Sequence, residues 1–377
     1  MFRVVLVLSA LFFIINADAT ILPCQEHQCI AVVDAGSTGS RLHIYTYDLE
    51  NNYPVHINEL FSKRTQPGIA SIALNSTSIN QYLTHLFAEA PDKNMPVYFY
   101  ATAGMRLLSR ESQDAFYATI KQWFAAQSDW RLIKAKTITG KEEGIYGWLA
   151  VNYGLGILAS DKPLVGVIDM GGASTQVTFP ITRPEAIDEH SSIELDVYGR
   201  HIQLFAHSFL GLGKNEFDHQ FLDVASCFSD NYPMPNGELA QGDFSSCVKE
   251  TALLINAVHH VDKTIQPVMQ SNPVKTWYAL GAISALAQTP PLTPNNGQFT
   301  IKDIADWADR EFCHRDWSLL VAQYPDNEYL YTSCLNSSYF YALLNHGYGM
   351  HQDQQINYIP SNGDNEYDWT LGVVLRH

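Results

Sequence analysis

Two segments of this chain share one pattern of apolar and polar positions. Each has a β-branched run, then Asp-x-Gly, then small hydroxyl residues, then a return to apolar alternation. One segment spans Val32 to Leu42, the other spans Val167 to Val177, and they align without a gap. This order predicts a strand, a tight glycine turn and a second strand. The repetition of the pattern indicates two duplicated lobes that close on one bound ligand.

Apolar periodicity in the rest of the chain alternates between strand and helix. Strand-like runs occur at 30–34, 41–47, 96–102, 164–169 and 175–180. Helical patterns occur near 78–90, 111–127, 140–153, 246–260, 301–312 and 338–346. Helices interleaved with strands indicate an α/β class in which a hairpin opens each lobe.

The N-terminal residues have the composition of a secretory signal. Arg3 precedes an apolar run from Val4 to Ile15, and Ala17-Asp18-Ala19 follows. We expect cleavage near Thr20, a secreted protein (extracellular or periplasmic), and no stable membrane anchor after cleavage. The alternative is an uncleaved anchor; no second run of membrane-spanning length occurs in the sequence.

Length and composition predict about two domains with a sizeable core. The chain has 377 residues, of which 46% are hydrophobic and 12% aromatic, which is typical of a globular protein. Residues 181–245 are rich in Pro, Asn, Asp and Gly, and we expect surface loops there. The strand-like stretch Trp369 to Leu375 is expected to return to the first lobe. The predicted divisions are a signal peptide at 1–19, lobe I at 20–155 with a C-terminal return at 348–377, and lobe II at 156–347.

The six cysteines indicate disulfides in an oxidising compartment. They lie at Cys24, Cys29, Cys227, Cys247, Cys313 and Cys334. Proximity in sequence favours three local bridges, although six cysteines permit about 15 connectivities. A zinc site is the rival interpretation, and no CxxC or HxxxH spacing supports it.

The formal net charge of −16 restricts the class of partner. A strongly acidic chain is a poor binder of nucleic acid and of anionic membrane surfaces. A polyanionic ligand would conflict with this charge unless a divalent cation and a few local arginines compensate for it. We favour a monomer that acts on small phosphorylated molecules.

The two glycine turns are the first candidate for chemistry. Backbone N–H groups at such a turn can approach a phosphate closely, and Ser and Thr hydroxyls add donors. Asp34 and Asp169 end the strands beside the turns, where a carboxylate could hold a divalent cation, Mg²⁺ or Ca²⁺, through water. For one turn alone the alternative is an ordinary Asp-capped turn. The predicted phosphate-binding residues of the turns are Gly36, Ser37, Thr38, Gly39, Ser40, Gly171, Gly172 and Ala173.

Two arginines follow small residues at strand ends. Arg106 comes after the run Tyr98 to Thr102, and Arg41 lies just beyond the first turn. A guanidinium at such a position can neutralise phosphate oxygens. The alternative for each arginine is a surface ion pair.

A third pattern predicts a helix with a carboxylate near its start. Thr139 and Glu142 have capping-box spacing, so Glu142 is expected to turn back to the cap. Glu143 is then free to point elsewhere, beside a surface kept bare by Gly144 and Gly147. A carboxylate there could accept a proton from water attacking a terminal phosphate. The alternative is that it only complements the helix dipole.

Five motifs together resemble a known family. They are DAGSTGSR, ATAGMR, TGKEEGIYGW with Asn152-Tyr153, DMGGASTQV, and Trp369-Thr370-Leu371-Gly372. Their order and spacing resemble the apyrase-conserved regions of the ecto-nucleoside triphosphate diphosphohydrolases, over about residues 30 to 372. The resemblance implies a two-lobed actin/hexokinase-like (ribonuclease H-like) fold with the active site in the interlobe cleft. It also implies stepwise hydrolysis of nucleoside tri- and diphosphates with Ca²⁺ or Mg²⁺.

The resemblance also implies roles for particular residues. Glu143 falls on the catalytic base, and Ser174 and Gln176 on the residues that place the attacking water. The resemblance puts Tyr339 and Tyr367 beside the nucleobase, with core packing as the alternative for both. With six cysteines and one N-terminal signal, the chain resembles the soluble, secreted members of the family.

Three alternative functions fit parts of the pattern. An exopolyphosphatase would share the twin hairpins without a nucleobase pocket. A sugar or acetate kinase of the same superfold would need cytosolic ATP, which conflicts with a secretory signal. A secreted nucleotide-binding module would need no catalytic base. Substrate comparison and a test for turnover separate these alternatives.

Overall fold

The computed structural model describes residues 23–127, 129–183, 190–290, 292, 297–359 and 367–376. The predicted signal peptide at 1–19 lies outside these ranges. Within them, no helix combines the length and the apolar character needed to cross a bilayer.

The first sheet contains the first glycine hairpin. Its strands lie in the order β3-β2-β1-β4-β5, with β1, β2 and β3 antiparallel and β4 and β5 parallel to β1. The strands are β1 Gln28–Ala35, β2 Ser40–Glu50, β3 Tyr53–Thr65, β4 Pro96–Ala101 and β5 Arg131–Thr137.

The second sheet repeats this plan around the second hairpin. Its order is β11-β12-β10-β6-β7-β9-β8, with β6, β7, β9 and β8 antiparallel in turn and β10 and β12 parallel to β6. The strands are β6 Gly166–Met170, β7 Ser174–Pro180, β8 Ser192–Val197, β9 Arg200–Leu210, β10 Trp277–Gly281, β11 Gln298–Thr300 and β12 Gln355–Tyr358. The duplication predicted from the two motifs is thus confirmed at the level of topology.

Helices pack against both sheets. The α-helices are α1 Pro23–Glu26, α2 Ser76–Leu86, α3 Ala103–Arg106, α4 Arg110–Ala126, α5 Gly140–Gly154, α6 Lys214–His219, α7 Phe244–Leu253, α8 Val261–Ser271, α9 Ala282–Gln288, α10 Ile301–Trp307, α11 Trp317–Gln323, α12 Ser333–Tyr341 and α13 Trp369–Val374. Three π-helical segments extend α7, α10 and α12: Leu254–Val258, Ala308–Cys313 and Ala342–Gly347. Short 3₁₀ segments cover Ile69–Ser71, Ala225–Cys227 and Leu330–Thr332. This two-sheet α/β architecture has the predicted class.

Two predictions about local structure are wrong. Part of 181–245 is not surface loop, because β9 pairs with β7 inside the second sheet and buries Phe205. The alternation His201 to Leu210 carries the strand pattern that the Pro- and Asn-rich flanks obscure. The stretch predicted as a strand near the C-terminus forms helix α13, because Asp368 caps it by accepting a hydrogen bond from Thr370 N at 2.8 Å.

One hydrophobic cluster joins the two sheets through α5. It combines Val32 of the first sheet with Val167 of the second, and Trp148 of α5 lies fully buried between them. Helix α13 packs on α5 so closely that a Cβ on Gly372 would lie 2.0 Å from Tyr146 O. The C-terminus therefore contributes to the junction that holds the sheets together.

The predicted local disulfides are confirmed. The pairs are Cys24–Cys29, Cys227–Cys247 and Cys313–Cys334. Cys227–Cys247, 20 residues apart in sequence, ties α7 to the 3₁₀ segment Ala225–Cys227. Cys313–Cys334, 21 residues apart, ties α12 to the π-helical segment that extends α10.

The lobe boundaries themselves stay a prediction. Within the proposed C-terminal return 348–377, strand β12 pairs in the second sheet, whereas α13 contacts α5 and β1. The return to the first lobe is thus made by the helix, after β12.

Candidate active site

A cavity of about 340 Å³ lies between the tips of the two hairpins. One wall is the turn between β1 and β2, and the opposite wall is the turn between β6 and β7. Further lining comes from α9, from Glu143 and from the start of α13. The predicted phosphate-binding residues that line it are Gly36, Ser37, Thr38, Gly39, Ser40, Arg41, Gly171, Gly172 and Ala173.

The hairpin tips touch each other. A Cβ added to Gly172 would lie 2.6 Å from Ser37 Oγ and 3.1 Å from Thr38 Cγ2. The second tip is held from behind, since Lys214 N donates to Gly171 O at 2.9 Å. Position 172 therefore requires glycine, because a side chain there would push the two tips apart.

Asp34 ends β1 inside this cavity. Its Oδ1 is buried without a hydrogen-bond partner. Burial is the main cause that raises the pKa of Asp34 to about 8, and the nearby carboxylates of Asp368 and Glu143 contribute to the same rise. Asp169 ends β6 and lines the same cavity. An orphaned carboxylate oxygen among other carboxylates has the chemistry of a cation site.

The described residues contain no group of three or more His, Cys, Asp or Glu side chains arranged to enclose a metal ion. A cation bound at Asp34 and Asp169 would therefore keep most of its water ligands, which suits Mg²⁺ in particular. The donor set fits the predicted water-mediated site.

The capping box that frees Glu143 is present. Thr139 Oγ1 accepts from Glu142 N at 3.1 Å, and Glu142 Oε2 accepts from Thr139 N at 2.8 Å. Glu143, one residue further, is buried and lines the cavity. Burial raises the pKa of the Glu143 carboxyl, while the Arg106 guanidinium opposes that rise.

Arg106 lies behind Glu143 and does not line the cavity. Its Nη2 forms an ion pair with Glu143 Oε2, its Nε donates to Ile138 O at 3.1 Å, and its Nη1 lies 3.4 Å from Ser174 Oγ. The predicted contact of Arg106 with phosphate stays a prediction, since the structure shows the contacts of this guanidinium within the protein. The guanidinium pairs with the Glu143 carboxylate and favours its ionised form against the effect of burial.

Ser174 and Gln176 complete a polar network next to Glu143. Gln176 Nε2 lies 2.7 Å from Ser174 Oγ, 2.9 Å from Ser208 Oγ and 3.3 Å from Glu143 Oε2. Gln176 Oε1 is buried without a partner. Because buried amide oxygens need a donor, this atom marks a place where a water molecule could donate a hydrogen bond.

The two predicted nucleobase residues differ in position. Tyr367 lines the cavity, and its hydroxyl donates to Gly154 O at 3.1 Å. Tyr339 lies in the core with no exposed surface, stacked on Phe217 with ring centroids 3.5 Å apart, and it donates to Leu212 O at 2.6 Å. The interpretation of Tyr339 as a wall for the base is corrected, because a fully buried ring stacked on Phe217 and away from the cavity has no room for a ligand.

Sequence reasoning missed several lining residues. Arg64 of β3 reaches the first tip, and Asp368 and Trp369 bring the start of α13 to the cavity. The end of β10 contributes Leu280 and Gly281, and α9 contributes Ser284, Ala285 and Gln288. The turn at Gly281 has φ +63°, and a Cβ there would lie 2.2 Å from Met170 O. The apolar run before Gly281 is the signal that could have predicted this strand-to-helix turn.

A buried histidine connects the first sheet to α13. His43 Nδ1 lies 2.6 Å from Glu59 Oε1, and His43 Nε2 lies 3.1 Å from Asp368 Oδ2. Burial disfavours the charged imidazole, but Asp368 and Glu59 outweigh it and raise the pKa of His43 to about 10. The same ion pair, against the effect of burial, lowers the pKa of Asp368 to about 2.

Similarity to solved structures agrees with this fold. A nucleoside triphosphate hydrolase from Neospora caninum superposes with a TM-score of 0.61 at 15% identity, covering 92% of each chain. The PPX-GPPA enzyme of Aquifex aeolicus gives 0.53 at 16% identity, covering 93% of this chain and 99% of that one. The fold is thus the two-lobed actin-like class.

Several curated proteins are similar in sequence to this chain over most of their length. Human ectonucleoside triphosphate diphosphohydrolase 8 is 27% identical, over 98% of this chain and 86% of its own. The nucleoside-diphosphatase mig-23 of Caenorhabditis elegans is 26% identical, over 94% and 77%. Probable apyrase 3 of Arabidopsis thaliana is 26% identical, over 91% and 81%.

Fold and cleft together define a two-lobed protein of the actin-like class. The family profile of GDA1/CD39 (nucleoside phosphatase) proteins matches residues 21–231 and 237–377. The chain belongs to this family, and the family predicted from the five motifs is confirmed.

Proposed function

We propose that this protein hydrolyses nucleoside tri- and diphosphates to the monophosphate and inorganic phosphate. Water attacks the terminal phosphate in line, and Glu143 accepts its proton. The observation that carries the proposal is the position of Glu143, buried at the cavity wall between Arg106 and Gln176. A base in such a place faces the tips where the phosphates would lie.

The electrostatic surroundings of Glu143 support its role as base. Burial alone would favour the neutral acid, whereas the Arg106 guanidinium favours the carboxylate. The balance raises the pKa above the ordinary range of a glutamate, and a base whose pKa lies closer to the working pH is the stronger proton acceptor.

Two further groups would aim the water. Ser174 Oγ lies beside the Gln176 amide, and the unpartnered Gln176 Oε1 offers an acceptor within the same network. A water held by this oxygen and by Glu143 would be oriented with one lone pair toward the phosphate. Fixing the nucleophile in this way lowers the entropic part of the barrier.

Charge on the transferring phosphate would be met by the hairpin amides, by hydroxyls of the first tip, and by Arg41. Asp34 and Asp169 would hold a hydrated divalent cation, Mg²⁺ or Ca²⁺. When bound, such a cation neutralises phosphate charge in a protein whose net charge is −16. The nucleoside would extend toward Tyr367 and α9.

A phosphate-release assay tests this function. ATP, ADP, pyrophosphate and tripolyphosphate are each compared with and without EDTA. We expect release from ATP and ADP that EDTA abolishes, and much weaker release from the two inorganic chains. Preference for tripolyphosphate would indicate an exopolyphosphatase, and binding without release would indicate a nucleotide-binding module.

We also propose that the protein is secreted. The three disulfides support an oxidising compartment. Expression with the N-terminal segment, followed by N-terminal sequencing of the exported protein, is expected to show a mature chain that starts near Thr20. Retention of residues 1–19 on a membrane-bound protein would contradict this.

A further inference from the structure

A row of three charged residues crosses the first sheet at the cavity. Asp34 of β1 is paired with Arg41 of β2, and Arg41 is paired with Arg64 of β3. All three line the cavity. Directly paired residues on adjacent strands share a face, so two guanidinium groups lie side by side at the mouth of the site.

Arg64 reaches back to the tip of the first hairpin. Its Nη2 lies 3.4 Å from Thr38 Oγ1, and a Cβ on Gly39 would lie 3.3 Å from Arg64 Nε. Thr38 in turn approaches Gly172 of the second tip. The Arg64 guanidinium is therefore beside the point where the two tips meet.

The charge of Arg64 is not matched inside the protein. Among the described residues, no carboxylate lies within ion-pair distance of its guanidinium, and Arg64 is exposed. Two like charges directly opposite each other on paired strands are unfavourable. Such a pair is retained at low cost where an anion with several oxygens binds between them, because a guanidinium matches phosphate with two parallel donors.

We propose that Arg64 binds the terminal phosphate of the substrate, the group released as inorganic phosphate. The inference rests on the proposed function and adds a binding residue to that site. In the proposed function the terminal phosphate lies near the point where the two tips approach each other, at Thr38 and Gly172. Arg64 would bind this phosphate from the first tip, while Glu143 lines the same cavity.

The test compares three variants with the wild type. Arg64→Gln removes the charge, and Arg64→Lys keeps a charge without the planar fork. Lys63→Gln is the matched control, since Lys63 is the neighbouring cation on the other face of β3, bonded to Ala88 O and Glu89. Because Arg64 is exposed, we expect all three variants to melt within a few degrees of the wild type.

We expect Arg64→Gln to raise KM for ATP and ADP at least tenfold, with kcat within about threefold. The competitive inhibition constant of inorganic phosphate should rise by the same factor, while that of AMP stays unchanged. The KM of Arg64→Lys should lie between the values of the wild type and Arg64→Gln. The KM of Lys63→Gln should equal that of the wild type. An unchanged KM, or a rise confined to the inhibition constant of AMP, would overturn the assignment to the terminal phosphate.

A binding measurement separates this inference from the proposed activity. Calorimetric titration of ADP with Mg²⁺ is repeated on Glu143→Gln and on Glu143→Gln with Arg64→Gln. At least tenfold weaker ADP binding by the double variant than by Glu143→Gln supports the role of Arg64. If the wild type nevertheless releases no phosphate, the proposed function fails and the binding role of Arg64 stands. Equal binding by the two variants rejects Arg64, whatever the wild type does.

Discussion

The side-chain amide of Gln176 lies 3.3 Å from the carboxylate of Glu143, across the boundary between strand β7 and helix α5. One residue belongs to the second hairpin and the other to the helix between the two hairpins. Their contact brings the proposed proton acceptor and the proposed water-placing group together. The predictions on catalysis depend on this contact.

Replacing Glu143 with Gln should abolish turnover without preventing nucleotide binding. Loss of a general base lowers kcat by about 10²–10⁴-fold. Steady-state phosphate release and ADP titration check the two parts. Glu142→Gln is the matched control, because Glu142 accepts from Thr139 N and pairs with Lys136. It should weaken the helix cap by about 1 kcal/mol and leave kcat nearly unchanged. Full activity of Glu143→Gln would rule out the assigned base.

Removing the Arg106 charge should shift the pH dependence of activity. The guanidinium favours ionised Glu143, so Arg106→Gln raises the pKa of Glu143 further above the ordinary range. The base must be ionised to act, and activity is lost as pH falls through its pKa. The acidic limb of the kcat profile should therefore move to higher pH in the variant. A limb that moves to lower pH would contradict the ion pair as its cause.

Replacing Asp34 with Asn should increase the cation concentration needed for activity. Its buried Oδ1 has no partner in the protein, and a neutral amide is a weaker ligand than a carboxylate. We expect at least a tenfold rise in the Mg²⁺ concentration for half-maximal phosphate release. Asp196→Asn is the control, because Asp196 is an exposed carboxylate paired with His201. Equal Mg²⁺ curves for the two variants would exclude Asp34 as a ligand.

The His43–Asp368 ion pair should stabilise the fold. Breaking it with His43→Phe leaves a partly buried Asp368 without its cation and should lower the free energy of unfolding by up to about 3 kcal/mol. Adding Asp368→Asn to that variant should restore part of the loss. Urea unfolding of the wild type, of His43→Phe, of Asp368→Asn alone and of the double variant gives the coupling energy. A coupling near zero would show that the contact contributes nothing.

The pH dependence of this contribution has a defined sign. The folded pKa of His43, about 10, lies above its ordinary value. The stabilisation is therefore fully present below the ordinary histidine pKa and is lost as pH rises toward 10. The difference in unfolding free energy between wild type and His43→Phe should shrink across that interval. A difference that grows there would contradict a charged His43.

The two tyrosines should respond differently to substitution. Tyr367→Ala removes a wall of the cavity and should raise KM for ADP severalfold. Tyr339→Phe removes the hydrogen bond to Leu212 O and should cost about 1–2 kcal/mol of stability with unchanged KM. Steady-state kinetics and urea unfolding distinguish them. A change of KM in Tyr339→Phe without loss of stability would return Tyr339 to the site.

Much of the site follows from local sequence because its parts are local. A glycine turn between two β-branched runs determines a hairpin within about ten residues, and Thr139 with Glu142 determines which glutamate faces inward. Cysteine pairing was predictable for the same reason, since each bridge closes a short loop. Among the described elements, α2, α4, α5 and both hairpins lie within a few residues of their predicted positions.

Contacts between distant residues were decided by the tertiary structure alone. Arg64 becomes a neighbour of Thr38 only through the register of β3 on β2, and Asp368 meets His43 only because α13 packs on α5. Tyr339 was placed in the core rather than at the ligand by its stacking on Phe217. Sequence patterns determine which groups a segment offers. Register and packing over long separations determine which of those groups meet, because they depend on the whole core at once.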